Sequence, residues 1–577
     1  MEETFALVKG PIRNSLFWRN ILCVAVCLLI SSGCSFLPRK KTVWQQPCYA
    51  EPNPDGIGNW SLAVAEESYA AAQHSEAAEC PDCVDLYYQA ATTSWPVMER
   101  ELAKQGKTSV RSAELHRSAV AKLLVTAQRF GRWDPCRGVT VSTTCGKTHL
   151  PTTYQGFTWG PEEFRQLEPA GNYASPNISR AFRNGGLGVP LVVVRETAYR
   201  QPFTQKERIF SATAVLRPND SQSGYQLEFH DPLRENTTVV AGTQVPLAND
   251  ITAPFVFATQ GENRQWLNGF LLPGRADDRD GLFMIEPFQP GKIPVVFIHG
   301  LLSDPATWVD VINELRAKPE LNEHYQWWAF RYATGEPFLT SAARLRRQMT
   351  ELRQTYDPTH CDTALSQTVL VGHSLGGLVA KLQVTQSGDR LWRTVADRPL
   401  ANVLTTPQTR RDLHDAFFFP PSNSVARVVY IGTPHEGSPL ARRPIGRLGS
   451  ALVDPSERSE MMHSQLVCDN PNLFSPELQK RFPTSIDLLE PTSPLLNATL
   501  ALPYSPSVAL HSIVGYGYHT CTGEPSDSVV PVHSARLQGV QSEKDVQAKH
   551  EYLHRDPITI AEIARILRIH LRQNGLY

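Results

Sequence analysis

Charge bias is missing from this sequence: 56 Lys and Arg stand against 57 Asp and Glu over 577 residues, a formal net charge of −1. That balance gives no basic footprint for a nucleic acid and no acidic tail, so nucleic acid is not an expected partner. A long apolar run at the N-terminus is also missing. Ile21 to Ile30 is ten residues, whereas a helix needs about 20 to span a bilayer. Cys80-Pro81-Asp82-Cys83 has no second close pair of its kind. It reads as free thiols or a disulfide rather than a zinc site, and neither a metal nor a cofactor is expected. The helical-looking stretches share no fixed period, so no repeat array is drawn.

What is present is an ordinary globular composition, 41% hydrophobic and 20% charged. At this length it suits two or three domains. Lys9, Arg13 and Arg19 precede the short apolar run, and Ser31, Ser32, Gly33 and Cys34 follow it. The segment resembles a bacterial lipoprotein signal, although Ser31 stands where that signal usually has Leu. The resemblance implies cleavage before Cys34, lipidation of Cys34 and a membrane partner reached through the lipid. Ser35 is not the aspartate that retains such proteins at the inner membrane, so the outer membrane is the expected site. Eight further cysteines (Cys48, Cys80, Cys83, Cys136, Cys145, Cys361, Cys468 and Cys521) are an even number. In an oxidising compartment that suggests disulfides of undetermined pairing.

Composition divides the chain. Residues 1–33 read as the signal and 34–56, rich in Pro, as a tether. Residues 57–136 read as a small helical region, with amphipathic stretches at Ser61–Gln73, Val84–Ala91 and Ala113–Phe130. Residues 137–290 carry short β-branched runs such as Leu191–Val194, Ala212–Leu216 and Thr237–Ala241. They predict a β-rich module, read as a sandwich. From 291 to 577, buried-type strands at Ile293–Ile298, Gln326–Phe330, Thr368–Val371, Val425–Ile431 and Val508–Val514 alternate with helical patterns. That alternation is the signature of a mostly parallel sheet flanked by helices.

The chemistry gathers in this last region. Thr368–Val371 is a strand, Gly372-His373-Ser374-Leu375-Gly376 a turn, and a helix begins at Gly377. A serine with glycine two residues away on each side fits a tight strand-to-helix corner, where larger side chains would collide. A serine hydroxyl needs a base, and this type of site runs Ser, acid, His along the chain. Asp527, beyond the last strand, is the expected acid, ahead of Asp487 and Glu490. His533 is too close to it, His570 lies late in a helix, and His435 precedes it. His550 and His554 both lie just before the last helix, which opens at Asp556-Pro557. His550 is preferred and His554 is the alternative. The backbone N–H groups of Leu375 and of Leu301, beside Gly300 in His299-Gly300-Leu301, are the expected oxyanion donors.

Pro294–Leu301, Val371–Leu378 and Tyr430-Ile431-Gly432-Thr433-Pro434-His435-Glu436-Gly437-Ser438 together resemble the lipase and esterase branch of the α/β-hydrolases. The likeness is to GPI-inositol-deacylase-like proteins and bacterial triacylglycerol lipases in particular. It covers about residues 291–577 and implies serine-dependent hydrolysis of acyl or lipid esters through an acyl-enzyme, without a metal. Relatives often have Asp-Gly where this chain has Asp527-Ser528. An acyltransferase or thioesterase would use the same triad. A binding lipoprotein with an inert hydrolase domain is the reading from another class. The segment Asp397–Asn423, with Phe417, Phe418 and Phe419, is either an apolar cap for acyl chains or a loop whose rings pack inward.

Overall fold

The computed structural model describes residues 57–576 except 106–107, 144–145, 174–177, 197–202, 204–206, 220–223, 260–280, 440–456, 476–478 and 480–482. The signal, Cys34 and the tether lie outside the described residues. So do Cys48 and Cys145.

Three helices, α1 (Ile57–Ala77), α2 (Cys83–Gln105) and α3 (Val110–Arg129), pack in sequence. Ser109 caps α3 by accepting from the backbone N–H of Ser112. The stripe Ala119, Val120, Leu123, Leu124 and Ala127 is buried. It does not close a helical domain. It joins one core with Leu191, Val193, Phe210, Ala212 and Phe229 from a five-stranded sheet. The strands are β1 (Thr152–Gln155), β2 (Gln166–Pro169), β3 (Val189–Glu196), β4 (Glu207–Pro218) and β5 (Tyr225–His230), in the order β1-β5-β4-β3-β2. The sandwich expectation is therefore corrected. The opposite face of β3, with Val192 and Val194, is covered by the helix Ala253–Thr259 through Ala253 and Phe257. Helices cover both faces, so β3 reads as a continuous apolar run and the local pattern does not reveal the covering element.

The second sheet has seven strands: β6 (Gly281–Met284), β7 (Ile293–Ile298), β8 (Tyr325–Arg331), β9 (Thr368–His373), β10 (Val425–Ile431), β11 (Ala509–Gly515) and β12 (Ser542–Val546). Their order is β6-β8-β7-β9-β10-β11-β12, with only β6 antiparallel. The five expected strands are its interior. The sheet begins at Gly281 rather than at 291, because β6 pairs with β8 across the expected boundary. One face packs on α4 (Phe338–Tyr356) and α5 (Leu375–Lys381), the other on α7 (Pro557–Gln573). All described regions lie in one compact unit, Pro52–Tyr577. The regions meet through Thr252 Oγ1 donating to Asn313 Oδ1 (3.0 Å), Asn313 donating to Arg180 O (2.8 Å) and the Arg316–Glu286 ion pair.

In the aromatic run 417–419 only Phe419 is fully buried, while Phe417 and Phe418 are half-buried. Phe419 is buried beneath the Arg346 guanidinium, 3.9 Å from its ring centroid. Phe417 meets Trp392 edge-on at 5.3 Å. Among the described residues Cys80, Cys83, Cys136, Cys361 and Cys468 are free thiols, so the disulfide expectation is not met for them.

Candidate active site

The centre of the sheet ends in a corner. β9 stops at His373, α5 starts at Leu375, and Ser374 between them has φ 53° and ψ −124°. A non-glycine residue there is strained, and the surroundings enforce it. The glycines of the corner are spatial necessities. A Cβ on Gly372 would lie 2.5 Å from Gly376 O, one on Gly376 2.3 Å from Ile298 O, and one on Gly377 1.9 Å from Thr433 Oγ1. A Cβ on Gly300 would lie 3.0 Å from Ser374 Cβ, so the loop after β7 runs directly against the serine.

Three side chains from the ends of β9, β11 and the approach to α7 form one hydrogen-bonded chain. His550 Nδ1 lies 2.7 Å from Asp527 Oδ2, and His550 Nε2 lies 2.9 Å from Ser374 Oγ. Asp527 is 1% exposed. Its Oδ1 accepts from the backbone N–H groups of Val529 (3.0 Å) and Val530 (2.7 Å). That leaves Oδ2 to fix the imidazole. The His550 N–H donates to Asp527 O at 2.8 Å. A carboxylate cannot donate, so Nδ1 carries the proton and Nε2 is free to accept from the serine.

His554 is placed elsewhere. Its Nε2 reaches Thr307 Oγ1 (2.5 Å) and Thr307 O (3.2 Å), and burial pushes its pKa down to about 3. Burial also holds His299 at about 4 and His373 well below the ordinary value. Three neutral histidines thus surround the corner. Of the other sequence candidates, Asp487 closes a capping box with Thr484. His533 lies 3.9 Å from Glu436, and His570 meets Tyr325 Oη at 3.0 Å. His435 is 1% exposed and T-shaped against Tyr430.

Leu375 opens α5, so its N–H has no acceptor within the helix. Leu301 lies in the turn between Gly300 and Leu302, the latter at φ 53°. Of four further contributors, Gly515 and Ser534 were not singled out from the sequence, and Gly432 and Ser438 were quoted there only within the run Tyr430–Ser438. A Cβ on Gly515 would lie 2.5 Å from Asp527 Cβ, and one on Gly432 3.2 Å from Asp527 Oδ2. Ser438 donates to Val529 O (2.6 Å) and Ser534 to Gly437 O (2.7 Å), tying the loop after β10 to the acid loop. The run Gly432–Ser438 carried the signal, since a glycine directly after a buried strand marks close approach. Among the described residues no group of three or more His, Cys, Asp or Glu is placed to hold a metal. A cavity of about 970 Å3 lies between α4 and α6 (Pro407–Phe417), lined by Leu339, Ala343, Trp392 and Leu413 among others; Ser374 is not in its lining.

No curated protein sequence matches the chain. Among solved structures it is similar to the lipase BlEst2 of Bacillus licheniformis in its mature form. The identity is 17% over 50% of this chain and 97% of that one, with TM-score 0.31. It is also similar to lipase 1 from Pelosinus fermentans (12%, 49% and 98%, TM-score 0.30) and to esterase B from Lactobacillus rhamnosis (12%, 51% and 81%, TM-score 0.28). Residues 295–563 match the Alpha/beta hydrolase family, and with the sheet order above the C-terminal half of the chain is an α/β-hydrolase domain.

Proposed function

We propose that this domain hydrolyses carboxylic esters through an acyl-enzyme on Ser374. The observation that carries the reading is the unbroken chain Asp527–His550–Ser374 at 2.7 and 2.9 Å. His550 Nε2 takes the hydroxyl proton as Ser374 Oγ attacks the acyl carbon. Asp527, already held by two backbone donors, stabilises the resulting imidazolium. The N–H groups of Leu301 and Leu375 receive the oxyanion. His550 then gives its proton to the departing alkoxide, and water repeats the sequence to free the acid and Ser374.

The test is a fluorophosphonate probe with a short p-nitrophenyl ester. The wild type is expected to be labelled and active. Ser374→Ala abolishes labelling and lowers turnover by on the order of 10⁴-fold or more. His550→Ala does the same to turnover, whereas His554→Ala, which does not touch the serine, retains most of it. An unlabelled wild type, or inactivation by the His554 change alone, overturns the assignment.

The reading extends to location: Cys34 carries a lipid that holds the protein at a bacterial membrane. No helix among the described residues is long and apolar enough to cross one. Cys34→Ala should move the protein to the soluble fraction, and retention in the membrane fraction overturns the anchor.

A further inference from the structure

His373 immediately precedes the nucleophile, and its ring is not solvated: the residue is 5% exposed. Its Nε2 lies 3.0 Å from the backbone oxygen of His550. A carbonyl oxygen only accepts, so Nε2 must carry the proton. Nδ1 has no partner and faces Gly300, where an added Cβ would lie 3.1 Å from it. Two other rings lie close to it, with centroids 4.8 Å away at His550 and 4.4 Å away at His554. His554 is pinned in turn by Thr307. The backbone of His550 is therefore gripped at both polar groups. Its N–H binds the acid loop at Asp527 O, and its C=O binds the residue joined covalently to the nucleophile.

We propose that His373 is a positioning residue, whose Nε2–H ties the backbone of the base to the backbone of the nucleophile and so sets the Ser374–His550 distance. The inference rests on the reading of Ser374 and His550 as nucleophile and base. Without this tether the approach to α7 can shift relative to β9, which belongs to a different part of the chain. A misplacement of about 1 Å at a reacting pair costs on the order of 10²-fold in rate. Burial disfavours the charged form of His373, so the imidazolium formed on His550 meets a neutral neighbour.

Three variants separate this role from simple packing. His373→Gln can place an amide N–H near the Nε2 position. His373→Asn is too short to do so, and His373→Phe keeps the ring without the donor. Turnover is measured per site titrated with the fluorophosphonate, with kcat and KM resolved and Tm recorded. The Asn and Phe variants should lose about a hundredfold in kcat with KM unchanged, and Gln should recover most of it. If Phe does not fold, the comparison of Gln with Asn decides. Wild-type kcat in the Asn or Phe variant, an equal loss in Gln and Asn, or a loss confined to KM or to the number of titratable sites overturns the tether. A wild type without activity or labelling overturns the triad itself, and an active wild type with indifferent variants overturns only the role of His373.

Discussion

At the scale of single residues, the acid loop carries a cost that its neighbours impose. Ser528, directly after the carboxylate, has φ 93°, a conformation that favours glycine. The turn lets Val529 and Val530 both donate to Asp527 Oδ1. A side chain in this region costs about 1–2 kcal/mol, so Ser528→Gly should raise stability by roughly that amount and leave turnover intact. Thermal unfolding and the ester assay check it. If the variant is less stable, the bond from the Ser528 N–H to Ser526 Oγ does not by itself hold the turn. Ser374 and Asp527 come forward from short patterns in the sequence: a glycine-flanked serine after a strand, and an aspartate after the last apolar strand. For the histidine the sequence prefers His550 and keeps His554 as the alternative. His550 and His554 are four apart, and both rings lie close to His373, with centroids at 4.8 and 4.4 Å. Only the fold shows that His550 Nε2 reaches Ser374 Oγ while His554 Nε2 reaches Thr307.

At the scale of elements, the ends of β10 and β11 make room for the site. Gly515→Ala adds a Cβ 2.5 Å from Asp527 Cβ and 3.0 Å from Leu553 Cδ2. Neither neighbour is a free-swinging chain end, so the acid must move. Turnover should fall by tenfold or more, using about 1.4 kcal/mol per tenfold as the scale. Gly171→Ala, where the added atom meets nothing within 4 Å, should match the wild type. Equal activities for the two variants would show that the acid loop yields without consequence. The interior strands β7, β9 and β10 were legible as runs of buried β-branched residues. The edge strand β12 was not: Ser-Glu-Lys-Asp-Val exposes most of its side chains, and polarity is what protects an edge. The sheet of the first half was read as a sandwich because helices on both faces leave no alternation to mark the covering element.

At the scale of the whole molecule, many buried histidines are held neutral. Burial takes His116, His299 and His570 to about 4, and His511 and His554 to about 3, from 6.5. Between those values the unfolded chain binds protons that the folded chain refuses. Stability from these groups is therefore full above pH 6.5 and is lost as pH falls toward 4 and 3. Asp231, raised by burial to about 7 from 3.8, acts in the opposite direction, as do Asp250 and Asp304, raised by burial, and His230, raised against its burial by Glu228 and Glu235. Tm should therefore decline steadily from pH 6.5 to 4, as scanning calorimetry would show. A flat Tm over that range would mean that the histidines are wetter than their burial indicates.

The antiparallel strand β6 gives the first half of the chain a protective duty toward the second. It covers the outer edge of β8, whose sequence Tyr-Gln-Trp-Trp-Ala-Phe-Arg is dominated by aromatic rings. A chain begun at residue 291 would retain every catalytic candidate yet expose that ladder of unpaired N–H and C=O groups, an open template for cross-β growth. For this chain, trimming to the region that carries the motifs and trimming to a self-contained body are different cuts, and the second must begin upstream of Gly281.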